Sequence, residues 1–504
     1  MNAFLVSLLV SQSLFARTYG GPNYEWVYSV IPTSDNGLAV AGLAYGEINM
    51  LFIKLNSTGD VEWARTYGSW LDTDIAHSVI QTSDRGYALI GHLNLSFSGS
   101  CILKMDSLGN PEWGTAYYMD AFGWEDTKTM AQTSDGGFVV AGTGGRNGYP
   151  GEFLIYKLDP SHNLQWYRAF ERNTEDDDVF YSVIQTTDGG YAAAGSFVAG
   201  GDYRCILAKF SSSGDLEWAK RYSAPSTAEV YDVIQTPDGG YAMGGIAFGF
   251  GAGESDLMVI RTDPSGNLLW ASTFGGPNEE WWASLTLTPD GGYAIAGESW
   301  SFWASRAEEF LIVKMDSLGN LEWARTFGGD TSDYPWSITS TSDGCLAIAG
   351  GTRSYGAGAE DVMVLKMGMD GSYPLCVQEY AVTAMHVTPT VSTPTLTLDT
   401  GFGPYVLGNF PDSVMIINPI VMDVCASSDY KEREMPRETG GVTCSLIPGG
   451  VLFLSSIETG ITIYSADGRV AYLGKLQKGE NRISLETGVY FWKAGTCRGK
   501  TVVK

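Results

Sequence analysis

For most of its length the chain alternates short apolar runs with polar turns. Residues 290–329 show one full period. A Pro289-Asp-Gly-Gly turn leads into Tyr293-Ala-Ile-Ala-Gly297, and a longer polar and aromatic loop follows. Next come the nearly continuous apolar run Phe310-Leu-Ile-Val-Lys-Met315, the turn Asp316-Ser-Leu-Gly-Asn and the segment Leu321-Glu-Trp-Ala-Arg-Thr-Phe327. Short β-branched and aromatic runs bounded by Asp, Gly and Asn are strand and hairpin signals. A run apolar at almost every position suits a strand covered on both faces. With Trp282-Ala-Ser-Leu-Thr-Leu-Thr ahead of the first turn, the period predicts four strands.

The period recurs. Trp63, Trp113, Trp166, Trp218, Trp270 and Trp323 stand 50, 53, 52, 52 and 53 residues apart. The turn aspartates Asp35, Asp84, Asp135, Asp188, Asp238, Asp290 and Asp343 mark seven copies. Four strands per unit and a period near 50 predict an all-β, seven-bladed β-propeller over residues 13–373, because a lone four-stranded sheet cannot bury both faces. The seventh copy lacks its last strand, and Ser13-Leu-Phe-Ala-Arg-Thr-Tyr-Gly-Gly at the other end supplies it. The N-terminal strand is therefore expected to close the ring and remove its edges.

Three columns carry expectations of their own. Gly42, Gly91, Gly142, Gly195, Gly245, Gly297 and Gly350 follow each turn aspartate by seven residues, which predicts a bulge or close backbone approach. Two residues after the aspartate, six copies have Gly, as a positive-φ hairpin position would require. The seventh has Cys345, so its turn is expected to be strained or built differently. The repeated tryptophans are expected in the core between blades.

Charge changes along the chain. The formal net charge is −26, and residues 1–373 hold 45 acidic against 20 basic residues, whereas 441–504 hold 4 against 8. An acidic propeller argues against a nucleic-acid partner. The stretch MNAFLVSLLVSQ, residues 1–12, is too short to anchor in a bilayer and is expected to be an atypical signal peptide, without the usual basic start. Cleavage near Ser11 or Ser13 would spare the closing strand. No other segment reads as transmembrane. The seven cysteines show no Cys-x-x-Cys spacing, which argues against zinc. Cys101 and Cys205 sit at matching strand positions and are expected to be buried thiols. Cys376–Cys425 and Cys444–Cys497 are pairs by location only.

Residues 374–440 shift to Thr, Val and Pro and then to a charged stretch, which predicts a linker with some strand running into a hinge. From 441 a small β domain is expected, with a sandwich-like arrangement. Its Ile463-Tyr-x-x-x-Gly-Arg469, Leu485-x-x-Gly-Val-Tyr-Phe491 and final Lys500-x-Val-Val-Lys504 resemble the type A C-terminal sorting domain of the type IX secretion system. The resemblance implies passage across an outer membrane to the surface or medium, with the type IX machinery as partner. It implies recognition through Asp467, Gly468, Arg469, Gly488, Tyr490, Lys500 and Lys504. More loosely, Lys-Met-Asp-Ser-Leu-Gly-Asn-Leu-Glu-Trp resembles the docking motif of quinoprotein-type propellers. That motif is one residue longer and its eight-bladed enzymes have one more blade, so the likeness extends to topology and not to a redox cofactor.

Blade topology places tight turns on one face and long loops on the other, where function usually sits. Loop-face Trp70, Trp124, Trp281, Trp300, Trp303 and Trp336 are candidate ligand aromatics. Ten residues before each turn aspartate stand Glu25, Asp74, Glu125, Asp178, Ala228, Glu280 and Asp333, acidic in six copies of seven. If the strand that follows is innermost, they ring the channel mouth and suit Ca²⁺ or another hard cation. The plainer and weightier expectation is a repeat-encoded cap or pairing with basic residues. No cofactor and no metal site is asserted. The sequence shows no metal-ligand histidine cluster, no Gly-x-Ser-x-Gly elbow and no phosphate loop. The expected function is an exported binding module for an extracellular ligand, glycan or protein. The alternative is a carbohydrate-active enzyme, hydrolase or lyase, that uses loop-face carboxylates.

Overall fold

A computed structural model describes residues 13–372 except 22, 45–48, 69–73, 95–97, 119–122, 147–150, 172–177, 225, 303–306 and 358; beyond 372 it describes the backbone of strands between 378 and 503, with a few side chains. Seven antiparallel sheets are present, each of five strands. Blade 1 runs Glu25–Pro32, Leu38–Ala44, Asn49–Leu55, Val61–Gly68 and then Ser413–Ile417. The first strand of each blade is innermost, packed against the first strands of its neighbours. The third strands are almost wholly buried, Glu309–Met315 at every position, which explains their nearly continuous apolar runs. The N-terminal strand Phe15–Gly20 pairs with Asp361–Gly368 of blade 7, with Ala16 opposite Leu365, and the ring is closed.

The fifth strands come from the stretch expected as a linker. Gln378–Glu379 adds to blade 6, Thr383–Val387 to blade 5, Thr390–Ser392 to blade 4 and Thr397–Asp399 to blade 3. Tyr405–Asn409 adds to blade 2, Ser413–Ile417 to blade 1 and Ile420–Asp423 to the closing strand of blade 7. This belt visits the blades in reverse order and pairs with the outer edge of every sheet, so ring closure seals the blade ends and the belt seals their sides. Residues 428–504 form a separate unit. It contains a three-stranded sheet that includes Gly450–Ser455 and a four-stranded sheet that includes Gly488–Ala494.

The repeat columns have distinct physical origins. Each innermost strand carries a bulge: pairing skips from Val27 to Ser29, from Ala76 to Ser78 and from Phe180 to Ser182. The bulge drives a carbonyl into the facing strand, and a methyl group on Gly42 would collide with the Trp26 carbonyl. The column glycines thus answer to their own blade's bulge. Hydroxyls just past the bulge tie blade to blade, with Ser29 Oγ accepting from Val79 N at 3.3 Å and Ser337 Oγ from Val30 N at 3.1 Å.

In the hairpin turn, the positive-φ residue directly follows the aspartate: Asn36, Arg85, Gly136, Gly189, Gly239, Gly291 and Gly344. The expectation for Cys345 is therefore corrected. It lies one position later at ordinary φ, and its turn keeps the Thr341 N to Cys345 O bond at 2.9 Å that the other turns have. Five of the six tryptophans pack on an aromatic of the next blade, as in Trp63–Tyr87 at 6.0 Å and Trp270–Tyr293 at 5.8 Å, and Trp323 packs against the cluster that contains Leu346. Cys101 and Cys205 are buried free thiols, whereas the other two cysteine pairs lie outside the described side chains.

Candidate functional site

The acidic column does not line an open mouth. Asp74, Glu280 and Asp333 are 0% exposed, Asp178 is 2% and Glu25 is 9%; the Glu125 side chain lies outside the described residues. These carboxyls turn back onto the loops between blades. Glu25 Oε2 accepts from Gly21 N at 3.0 Å, Glu280 Oε2 from Gly276 N at 3.2 Å and Asp333 Oδ2 from Gly329 N at 2.6 Å. Ser299 Oγ donates to Glu280 Oε1 at 2.8 Å, and the Thr352 hydroxyl bonds Asp333. Burial pushes the Glu280 carboxyl up to about 7, against the pull of Ser301, Ser299 and the Gly276 amide, and the nearby Asp256 charge adds to the rise. Burial likewise pushes Asp333 up to about 6.

The channel wall is lined by a different column, seven residues before each turn aspartate, where the bulge tips the side chain inward. It contains Tyr28, His77, Lys128, Tyr181, Tyr231 and Trp336. In blade 6 that place falls on Ala283, and the bulge there is one residue wider. Trp282 adopts φ 50 and takes the place instead. The rings form a continuous arc. Tyr181–Tyr231 centroids are 5.2 Å apart, Tyr231–Trp282 4.9 Å, Trp282–Trp336 4.8 Å, Trp336–Tyr28 5.2 Å and Tyr28–His77 5.5 Å. Blade 3 interrupts the arc with a charged pair, Lys128 Nζ to Asp126 Oδ2 at 2.6 Å, and Asp126 Oδ1 also lies 3.5 Å from His77 Nε2. Burial, with the Lys128 charge, lowers His77 to about 4 and keeps the imidazole neutral. Trp282 is 36% exposed, and Trp26 beside the arc is 38% exposed. The column was present in the sequence, but its mixed residue types and the slip at Trp282 hid it.

A second polar group sits on the loop face between blades 6 and 7. Arg353 Nε donates to Glu360 Oε2 at 3.0 Å, and its guanidinium lies 5.9 Å over the Tyr334 ring. Glu360 is fully buried beside the Tyr334 hydroxyl. Glu298 is buried nearby, and its desolvation, with the Glu308 charge, pushes it up to about 8. A carboxyl at that value is a proton donor at neutral pH.

The expected loop-face tryptophans scatter. Trp336 belongs to the channel arc. Trp281 is half-buried, with Nε1 donating to Glu279 Oε2 at 2.8 Å and its ring edge-on to Phe248. Trp300 is half-buried and held by its backbone, its N donating to Glu279 O at 3.0 Å. Trp70, Trp303 and the Trp124 side chain lie outside the described residues. Among the described residues no three His, Cys, Asp or Glu side chains gather as a metal cluster, and no helix is long and apolar enough to cross a membrane.

The fold and its channel define a seven-bladed, edge-belted β-propeller. No family model matches the chain. The regulatory protein FlaEY of Caulobacter vibrioides is 26% identical over 114 residues, so the match covers 20% of this chain and 12% of that protein. A protein of unknown function from Dyadobacter fermentans is 11% identical, with 73% of this chain and 99% of that one covered at a TM-score of 0.40. An ulvan lyase from a new polysaccharide lyase family is 10% identical, with 73% and 97% covered at a TM-score of 0.39.

Proposed function

We propose that this protein is an exported binding module that takes its ligand at the channel, against the aromatic arc, and carries a C-terminal sorting tail. The arc is the observation behind the binding reading: five aromatic rings and His77 in unbroken contact, with Trp282 and Trp26 open to solvent. Such rings offer flat apolar faces for the C–H faces of sugars, and the Asp126–Lys128 pair offers hydrogen bonds beside them. A glycan array with the intact chain tests this reading. Specific glycan binding that Trp282→Ala with Trp336→Ala abolishes is the expected result. Unchanged binding in that variant rejects the arc as the site.

Glu298 supports the second reading, a carbohydrate-active enzyme. A protonated Glu298 beside Tyr334, Glu360 and Arg353 is a general-acid arrangement. A reducing-end or unsaturated-product release assay on the same glycans separates the two. Turnover lost in Glu298→Gln supports the enzyme, and binding without turnover supports the module.

The tail reading rests on the resemblance at 463–469, 485–491 and 500–504 and on the change of charge sign there. Asp467–Arg469 and Lys504 lie outside the described residues, while Gly488, Tyr490 and Lys500 stand on strands Gly488–Ala494 and Cys497–Val503. In a host with the type IX apparatus, removal of 441–504 should leave the propeller in the periplasm. Normal amounts in the medium would defeat the assignment.

A further inference from the structure

At three consecutive junctions, the acid of the loop-face column meets a second buried acid from the preceding blade. Asp256 faces Glu280 between blades 5 and 6, Glu309 faces Asp333 between blades 6 and 7, and Asp361 faces Glu25 across the ring closure. Five of the six side chains are 0–1% exposed, and Glu25 is 9%. Each pair shares one small space. A methyl group on Gly275 would strike both Asp256 Oδ1 and Glu280 Oε2, and one on Gly20 would strike both Asp361 Oδ1 and Glu25 Oε2. At Gly328 it would stand 3.1 Å from Glu309 Cγ and 3.2 Å from Asp333 Oδ2.

Buried carboxylates at this range repel, and the usual remedy is a Lys or Arg. Among the described residues, neither acts on Asp256, Glu280, Glu309 or Asp333. Glu309 is the sharpest case. It is 1% exposed, the Asp333 charge acts on it, and both its carboxyl oxygens lack a hydrogen-bond partner, although the Thr326 hydroxyl lies beside it. A buried, unpaired carboxylate is costly enough to imply an absent partner.

The loops around these pairs recur as a set. Phe250-Gly-Ala-Gly-Glu-Ser-Asp256 goes with Gly275-Gly-Pro-Asn-Glu-Glu280 at one junction, and Tyr355-Gly-Ala-Gly-Ala-Glu-Asp361 goes with Gly20-Gly-Pro-Asn-Tyr-Glu25 at another. These two composites are alike although one spans the ring closure. Between blades 4 and 5 the pattern inverts. Arg204 occupies the position equivalent to Asp256, five residues before the buried basic residue of its strand, and the facing acid is Ala228. Arg204 Nη2 pairs with Asp202 Oδ2 at 2.7 Å and Nη1 donates to the Ser226 carbonyl. The junction with a fixed cation has dropped its acid pair.

We propose that the three junctions whose facing acids are both buried, Asp256/Glu280, Glu309/Asp333 and Asp361/Glu25, each bind a Ca²⁺ ion. A shared proton would satisfy one oxygen of each pair. Ca²⁺ accepts six to eight oxygens in flexible geometry, so two carboxylates, the Ser299 or Thr352 hydroxyl and water suit it, whereas Mg²⁺ demands a stricter octahedron. The inference does not depend on the channel or on its ligand.

The test uses the intact chain, stripped with a chelator and titrated with CaCl₂ by calorimetry and thermal melting at about pH 7.5 and about pH 5, with MgCl₂ as comparison. About three equivalents should bind, and the melting temperature should rise by roughly 5 °C at the higher pH and hardly at all at the lower, where protons compete. Glu309→Gln should lose one equivalent, and Asp256→Asn should lose another. Two results would overturn the proposal. One is no heat and no shift at about 10 mM CaCl₂, which assigns the pairs to protons. The other is undiminished calcium binding in both variants, which assigns the ion to the acidic surface.

Discussion

Every blade carries an acid in its turn column and six of the seven carry one in the loop column, and the two ends treat it in opposite ways. At the turn end, Asp84 is pushed up by burial, but the Thr82 hydroxyl, Lys104 and the Gly86 amide outweigh that and hold it at about 2. The lysine is the key: Lys314, fully buried, reaches Asp290 at 3.0 Å and Glu322 at 2.8 Å, and Lys54, Lys104 and Lys209 do the same in their blades. At the loop end, Glu280 and Glu309 are pushed up to about 7, by burial first and by the facing carboxyl as well. Equal residue types in equally regular columns thus acquire opposite electrostatics, depending on whether a cation is built into the repeat. The turn end is complete in itself, whereas the loop end is poised to take up a proton or a cation.

The largest expected effect comes from blade 7, where both ends depend on the closing strand. Deleting residues 13–21 removes Phe15–Gly20 from between Asp361–Gly368 and Ile420–Asp423. It also removes the Gly21 amide from Glu25. The melting temperature should fall by about 10 °C or more, with aggregation visible by light scattering. An unchanged melting temperature would show that the belt alone can hold the seventh blade.

Next come paired substitutions of opposite sign. Lys314→Met leaves Asp290 and Glu322 without their cation and should cost about 2 kcal/mol, moderated because both carboxylates are about half exposed. Glu309→Gln relieves like-charge repulsion and should stabilise the calcium-free protein by about 1 kcal/mol at neutral pH. Thermal melts of the two variants in chelator check both. A shared sign would erase the distinction between the ends.

Acidity should act on the two ends in turn. Glu280, Glu309 and Asp333 have folded values of about 7, 7 and 6, above their ordinary carboxyl range. The stability that their protonation supplies is complete below that ordinary range and is lost as pH rises through 6 to 7. Asp84, Asp188 and Asp290, at about 2, contribute stability above their ordinary value that is lost as pH falls toward 2. In chelator, melting temperature plotted against pH should peak between about 4 and 5.5 and decline on either side. A maximum above about pH 7 would show that the loop-end carboxyls are not desolvated.

What was legible in the sequence was what repeats. The turn aspartates, the tryptophans and the bulge glycines each recur once per blade, and each has a local cause. Their buried basic partners, Lys54 to Lys366 with Arg261 in blade 5, recur just as regularly but were hidden inside apolar strands, where a buried charge is not expected. The belt escaped because its strands, such as Gln378–Glu379 and Thr390–Ser392, are two to five residues long. They pair through main-chain hydrogen bonds, which leave no period in side-chain type. The channel arc escaped for a related reason. A bulge displaces whatever residue it holds, so Tyr28, His77, Lys128 and Trp282 share a place without sharing a chemistry.

The smallest effect tests how completely the turn end is optimised. Six turns position the aspartate with Gly or Asn in the positive-φ place, and blade 2 has Arg85 there, at φ 68. For a long side chain that conformation costs about 1 kcal/mol relative to Gly, whereas Asn bears it more easily. Asn36 at φ 67 also accepts a hydrogen bond from Ser342 Oγ at 2.7 Å, which reaches from blade 7 to blade 1. Arg85→Gly should therefore raise stability by about 0.5–1 kcal/mol, reduced by the greater freedom glycine brings to the unfolded chain. Asn36→Gly should gain nothing, because the relief of strain is offset by the lost contact with Ser342. Thermal melts of the two single variants decide it: Arg85→Gly should rise above the parent and Asn36→Gly should stay with it. If both rise equally, the Ser342 contact contributes nothing, and the turn is governed by backbone conformation alone.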